Sequence, residues 1–217
     1  MGGGRWNIGV YSDMVSWINA SIPELLFSWL AAGHQVSWAH DAAALPAGDI
    51  CFYLSYGRIV GPELLARYRN NLIVHESDLP KGRGWSPLTW QVLEGADSIC
   101  VTLFEAADAV DSGLIYLQEK IELRGNELVD DFRRLQADAT FRICRAFVSD
   151  YPQVLEKSRP QAGEPSYYRR RHPADGRMDP DQSLRAQFNL LRVSDNQRYP
   201  AWVEIESVKY ALKIEKL

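Results

Sequence analysis

Short apolar runs alternate with amphipathic ones through the first third of the chain, and that alternation narrows the possible folds more than any other feature. Trp6 to Tyr11 reads as a buried strand. Ser21 to Ala32 places Ile22, Leu25, Leu26, Trp29 and Leu30 at helical spacing, and Gly33 is a natural stop. His34 to Ala39 alternates like a strand, Asp49 to Leu54 is a further apolar run, Pro62 to Tyr68 a short helix, and Leu72 to Val74 another buried strand. Strand and helix repeated in this order build βαβ units. The expected fold is therefore α/β: a compact, shortened Rossmann-like sheet, mostly parallel and flanked by helices, with ligands at the carboxyl ends of its strands.

Downstream, Ile99 to Phe104 and Ile115 to Ile121 read as two strands separated by a loop bearing Gly and Asp. Asn126 to Tyr151 then carries Leu128, Phe132, Leu135, Ala139, Ile143 and Phe147 on one helical face, a stripe that belongs in a core. Composition shifts near Ser158 to Pro, Gly, Tyr and Arg; Gln182 to Leu191 suggests a short helix, and Trp202 to Ile214 a β-hairpin. These features predict a catalytic body over residues 1–155 and a small C-terminal extension over 156–217 for substrate or dimer contacts.

Charge and cysteine usage exclude several classes. The 217 residues carry 24 basic and 28 acidic side chains, a net of -4, so no global field draws in nucleic acid. Cys51, Cys100 and Cys144 are odd in number and set in apolar company, which fits reduced thiols in a cytoplasmic protein. His34, His40, His75 and His172 form no metal-binding spacing, and no apolar run is long enough to span a bilayer. No metal or membrane partner is expected. Tyr11-Ser12-Asp13-Met14 lacks the glycines of a dinucleotide fingerprint.

Proton transfer near neutral pH points to histidine, and His75 follows directly on a predicted buried strand. The run His75-Glu76-Ser77-Asp78-Leu79-Pro80-Lys81-Gly82-Arg83-Gly84 bends at Pro80, and its glycines let backbone approach a ligand. Asp111, in Val110-Asp111-Ser112-Gly113, is a second candidate, though a carboxylate in such a turn also serves as an Asx-turn acceptor.

These two segments together resemble the formyltransferases that use 10-formyltetrahydrofolate. The family pattern is Asn-x-His-x-Ser-x-Leu-Pro-x-x-x-Gly followed by Asp-x-Gly. His75, Ser77, Leu79, Pro80 and Gly84 match the first motif, and Asp111 and Gly113 the second, 36 residues after the histidine. The resemblance implies His75 and Asp111 as catalytic residues and 10-formyltetrahydrofolate as formyl donor. Tyr56, Arg58, Ile59 and Val60 resemble the pterin-pocket segment, and Ala106, Ala107, Asp108 and Val110 the folate-binding loop. Two departures stand out. Ile73 occupies the position of the family Asn whose amide holds the oxyanion, and losing such a donor typically lowers a rate about 100-fold to 1000-fold. Either Asn71, two residues earlier on the same strand side, or a backbone amide takes its place, or the enzyme is slow or inactive. His75 also arrives earlier than in the family, which implies a shortened first half.

The acidic balance and short tail resemble the family members that formylate nucleotide-linked amino sugars for surface polysaccharide or glycan synthesis. Ser77, Lys81, Gly82, Arg83 and Trp85, with Tyr167, Tyr168, Arg169, Arg170 and Arg171, would then contact substrate: aromatic rings on a base or sugar, guanidinium groups on a diphosphate. Trp202, Val203, Ile205 and Val208 offer a homodimer contact. The competing expectations are a non-catalytic homologue that binds folate or a nucleotide sugar, and formylation of another amine such as that of an aminoacyl-tRNA.

Overall fold

A computed structural model describes residues 4–41, 44–107 and 109–217. Its centre is a six-stranded sheet in the order β2-β1-β3-β4-β6-β7, built from β1 (Asn7–Tyr11), β2 (Gln35–Ala39), β3 (Gly48–Tyr53), β4 (Tyr68–His75), β6 (Ser98–Glu105) and β7 (Ile115–Glu122). The first four of these strands run parallel; β6 and β7 are antiparallel to their neighbours. The α/β fold expected from the alternating pattern is the fold observed, with a wider antiparallel edge than the βαβ pattern alone implies.

Helix α1 (Ile22–Ala31) begins with Pro23 in its first turn and Glu24 beside its positive end. It buries Ile22, Leu25 and Trp29, and Trp29 stacks on Phe52 of β3. Helix α4 (Val129–Ser149) has its first turn closed by Asp131, whose carboxylate accepts from the Leu128 N–H. Phe132, Ala139, Ile143 and Phe147 are buried as its stripe predicts, and Phe141, Cys144 and Val148 widen the buried face, so α4 packs against two apolar clusters across the sheet. A short α2 (Pro62–Leu65) precedes β4, and α3 (Pro87–Leu93), absent from the sequence reading, follows the two-residue β5 (Arg83–Gly84).

The C-terminal extension returns to the body. Strand β8 (Tyr167–Tyr168) pairs with β5, and Arg159 bridges Ile115. Helix α5 (Phe188–Arg192) and the hairpin of β9 (Ala201–Ile205) and β10 (Val208–Leu212) share a small apolar cluster of Met178, Leu191 and Ala201. Glu206 and Ser207 both take positive φ, the backbone a two-residue hairpin turn requires. Of the residues expected at a dimer contact, Val203 is buried and the Trp202 ring is covered by Arg177 and Lys209 of its own chain; Ile205 and Val208 are exposed. No helix among the described residues is long and apolar enough to cross a membrane, and none of their His, Cys, Asp and Glu side chains cluster as a metal site. The three cysteines are free, and burial pushes the Cys51 thiol up to about 12.

Candidate active site

The carboxyl ends of β1, β3 and β4 open into a cleft of about 500 Å³, and α4, the start of α3 and the C-terminal extension complete its walls. His75 closes β4, opposite Thr102 of β6. Asp111 stands in the loop joining β6 to β7, with its carboxylate 3.8 Å from His75 Nε2. Both are largely shielded, at 9% and 13% side-chain exposure, so their mutual attraction is stronger than on a surface. His75 Nε2 is 2.9 Å from the Gly82 carbonyl, which can only accept, so Nε2 carries a hydrogen. Nδ1 has no hydrogen-bond partner among the described residues.

The Asp111 loop is held from several directions. Gly84 N–H donates to the Asp111 carboxylate at 2.8 Å, and Gln161 Nε2 donates to the carbonyls of Asp111 and Gly113. Gln161 is fixed in turn by Arg83 Nη2 at 2.6 Å. The Asp-x-Gly pattern has a steric cause: a Cβ on Gly113 would lie 1.7 Å from the Glu105 carbonyl oxygen.

One wall of the cleft is aromatic and apolar, with Tyr53, Tyr56, Val60 and Ile73 and with Arg58 beside them. Asp13, whose carboxylate accepts from Gly57 N–H, fixes the turn that carries Tyr56 and Arg58. Ile59 is exposed, and neither it nor Ala106, Ala107 or Val110 lines the cleft; Asp108 lies outside the described residues. Arg170, Arg171, Arg198 and Tyr199 of the extension also line the cleft, with Trp85 and the start of α3.

Several predicted residues have other duties. Asn71 does not stand in for the missing family Asn: its amide donates to the Leu65 carbonyl and accepts from Tyr53 Oη, and four residues of strand separate it from His75, about 13 Å. Ser77 is buried outside the cleft, and its carbonyl accepts from Thr102 Oγ1. Lys81 is exposed, Gly82 buttresses His75, and Arg83 braces the Asp111 loop, all without lining the cleft. Tyr168 stacks on Trp90 and donates to Glu94, so its ring is not free for a base. Arg169 lies over Trp90 and forms a two-point ion pair with Asp175 at 2.8 and 2.5 Å, which neutralises it. Arg170 lies over Trp85 inside the cleft.

Sequence reasoning passed over Arg198, Gln136 and Glu76. Arg171 reads with Arg169 and Arg170 as a diphosphate contact. Its Nε is buried without a partner, and burial lowers its affinity for its proton, the condition of a cation that gains from an arriving anion. Glu76 is the residue after His75. Burial raises its carboxyl above the ordinary range, against the opposing pull of His75 and a hydrogen bond from Gln136.

Comparison with known proteins fits this geometry. Residues 31–143 match the family model described as formyl transferase. The chain belongs to that family. Among curated relatives of this formyl transferase, the methionyl-tRNA formyltransferase of Anaeromyxobacter sp. (strain K) is 33% identical over 136 residues, covering 54% of this chain and 44% of the relative. The chain thus spans less than half of that relative's length. HypX from Aquifex aeolicus, solved in complex with tetrahydrofolic acid, superposes with a TM-score of 0.82 at 19% identity, over 97% of this chain and 38% of the other. A 4-N formyltransferase from Francisella tularensis superposes with a TM-score of 0.72 at 17% identity, over 98% and 99%. At those identities the structural matches establish the fold of this formyl transferase.

Proposed function

We propose that this chain transfers the formyl group of 10-formyltetrahydrofolate to the amino group of a nucleotide-linked amino sugar, a cytoplasmic step of surface polysaccharide or glycan synthesis. The observation that carries the reading is the meeting of His75 and Asp111 in a cleft lined both by aromatic and apolar side chains and by three arginines of the extension. The donor's flat, mostly apolar ring system suits Tyr53, Tyr56, Val60 and Ile73, and Arg58 is placed for its carboxylates. Membership of the formyl transferase family supports a folate-derived donor, as does the likeness to a HypX structure holding tetrahydrofolic acid. When bound, the donor supplies an electrophilic formyl carbon. Ala106, Ala107, Asp108 and Val110 are donor contacts by resemblance to the family's folate-binding loop alone.

His75 is the proton carrier in this scheme. With Nε2–H engaged by Gly82, its Nδ1 accepts a proton from the attacking nitrogen and returns it to the departing one. Asp111 stabilises the imidazolium formed in between, from 3.8 Å. Ile73 offers no donor for the formyl oxygen, which leaves that charge to His75 once it is protonated. Arg170, Arg171 and Arg198 would hold the diphosphate. None of the three forms an ion pair with a carboxylate among the described residues.

The test is mass spectrometry of UDP-, dTDP- and GDP-linked amino sugars incubated with the protein and 10-formyltetrahydrofolate. One added formyl group on a sugar nucleotide is the expected product. Curated relatives named methionyl-tRNA formyltransferase favour a second reading, so initiator methionyl-tRNA belongs in the panel. Formylation of that substrate alone would replace the sugar reading. Tetrahydrofolate binding without any product would replace both with a non-catalytic role.

A further inference from the structure

Of the four carboxylates lining the cleft, Asp111 serves His75, Asp13 accepts from Gly57 N–H and Asp195 pairs with Arg133, which leaves Glu76 idle. Glu76 follows His75 just past the end of β4, and its half-buried side chain lines the cleft together with Gln136 of α4. Val129, Phe132 and Arg133 of α4 line the cleft around it. Arg133, the α4 cation that lines the cleft, is already committed to Asp130 and Asp195 at 3.3 and 2.6 Å. Glu76 itself forms no ion pair with Lys or Arg among the described residues. A shielded carboxylate without a cation is unfavourable unless a cation arrives with the ligand.

We propose that Glu76 is the acceptor-amine site: its carboxylate binds the ammonium group of the incoming sugar and takes the proton that must leave before the nitrogen can attack. This rests on the formyl-transfer reading and extends it. An ammonium has no lone pair. Transfer of one proton to Glu76 frees that pair, which forms the new C–N bond to the formyl carbon. The second proton leaves through His75 and reaches the donor nitrogen as its bond to the formyl carbon breaks. The products are the formamide, the deformylated donor and one proton released from Glu76 to water. Burial favours the protonated form of Glu76, as a group that receives a proton requires. Gln136 is a positioning residue that aims the carboxylate.

The experiment compares wild type, Glu76→Gln and Glu76→Asp. Calorimetry measures affinity for UDP-, dTDP- and GDP-linked amino sugars against the same nucleotides carrying the hydroxy sugars, and steady-state kinetics measures formyl transfer. Tetrahydrofolate affinity serves as the control for an intact donor wall. Expected for Glu76→Gln is loss of the preference for amine over hydroxyl and a fall in kcat/KM for the acceptor of about 100-fold or more. Tetrahydrofolate affinity stays within about twofold. Glu76→Asp keeps the charge but withdraws it by one methylene, and about 100-fold is expected there too, in kcat more than in amine preference. If Glu76→Gln does not fold, Glu76→Asp and Gln136→Leu carry the same comparison. A wild type that formylates a sugar nucleotide while Glu76→Gln matches it overturns the proposal and leaves formyl transfer standing. A wild type that formylates nothing in the panel overturns both.

Discussion

Asp111 has a φ of 50°, a left-handed conformation that costs a non-glycine residue energy and that Asp and Asn tolerate best. The return is an aimed carboxylate, held by the Gly84 N–H and directed at His75. Asp111→Asn keeps the backbone preference and the acceptor oxygen while removing the charge. Turnover should therefore fall by about 100-fold to 10,000-fold with the melting temperature unchanged, as kinetics and calorimetry would show. Gly113→Ala is the converse case, because its Cβ would overlap the Glu105 carbonyl. That variant should lose about 3 kcal/mol or more in denaturant titration, and with it the Asp111 geometry. His75 and Asp111 were legible because their motifs encode local backbone needs: a strand end, a bend, a glycine forced by close approach. Asn71 misled because strand alternation reports the side of a residue and not its depth, and its amide was already spent on Leu65 and Tyr53. The Glu76–Gln136 contact joins distant parts of the chain, and no local pattern announces it.

Helix α4 is the element that joins the body to the extension. Arg192 of α5 pairs with Glu127 just before α4, at 2.7 Å and with 5% and 7% side-chain exposure, and Asp195 and Lys216 pair with Arg133 and Asp131 on its first turns. Burial raises the Glu127 carboxyl, but the N–H groups of Arg124 and Gly125, together with Arg192, outweigh it and leave it below the ordinary value. The same opposition, with Gln197, Arg198 and Arg133 prevailing, lowers Asp195; Lys216 and the Leu128 N–H lower Asp131. Carboxyls lowered on folding contribute stability that is present above their unfolded values, about 4, and is lost as pH falls through the folded ones. Limited proteolysis from pH 7 downward should accordingly cut the extension first, below about pH 4, before the sheet opens. Arg192→Met should cost about 3–5 kcal/mol at neutral pH because it leaves Glu127 buried and uncompensated. Adding Glu127→Gln should recover part of that loss, as a double-mutant cycle would reveal. Long elements such as α1 and α4 announce themselves by period. The seven residues of α3 and the two-residue strands β5 and β8 are too short for any period, and tertiary contact alone defines them.

At the scale of the whole molecule the question is how a chain of net charge -4 meets an anionic substrate. Several of its cations are neutralised in place, as with Arg169 by Asp175 and Arg142 by Glu119, while Arg170, Arg171 and Arg198 line the cleft without such a pair among the described residues. Such a distribution repels a long polyanion while offering a local site for one or two phosphates. The two candidate acceptors then part in their response to salt. A sugar nucleotide held by Arg170, Arg171 and Arg198 displaces few counterions, so its affinity should drop less than about tenfold between roughly 50 and 200 mM salt. A tRNA contacting six or more phosphates would lose about 1000-fold over the same interval. Arg171→Met sharpens the comparison, since it removes a cleft cation whose Nε has no partner of its own. For a sugar nucleotide it should raise KM about tenfold or more and flatten the salt dependence that remains. A steep salt slope unaffected by Arg171 would instead place the anion-binding surface outside the cleft, and the sugar-nucleotide assignment would fall with it.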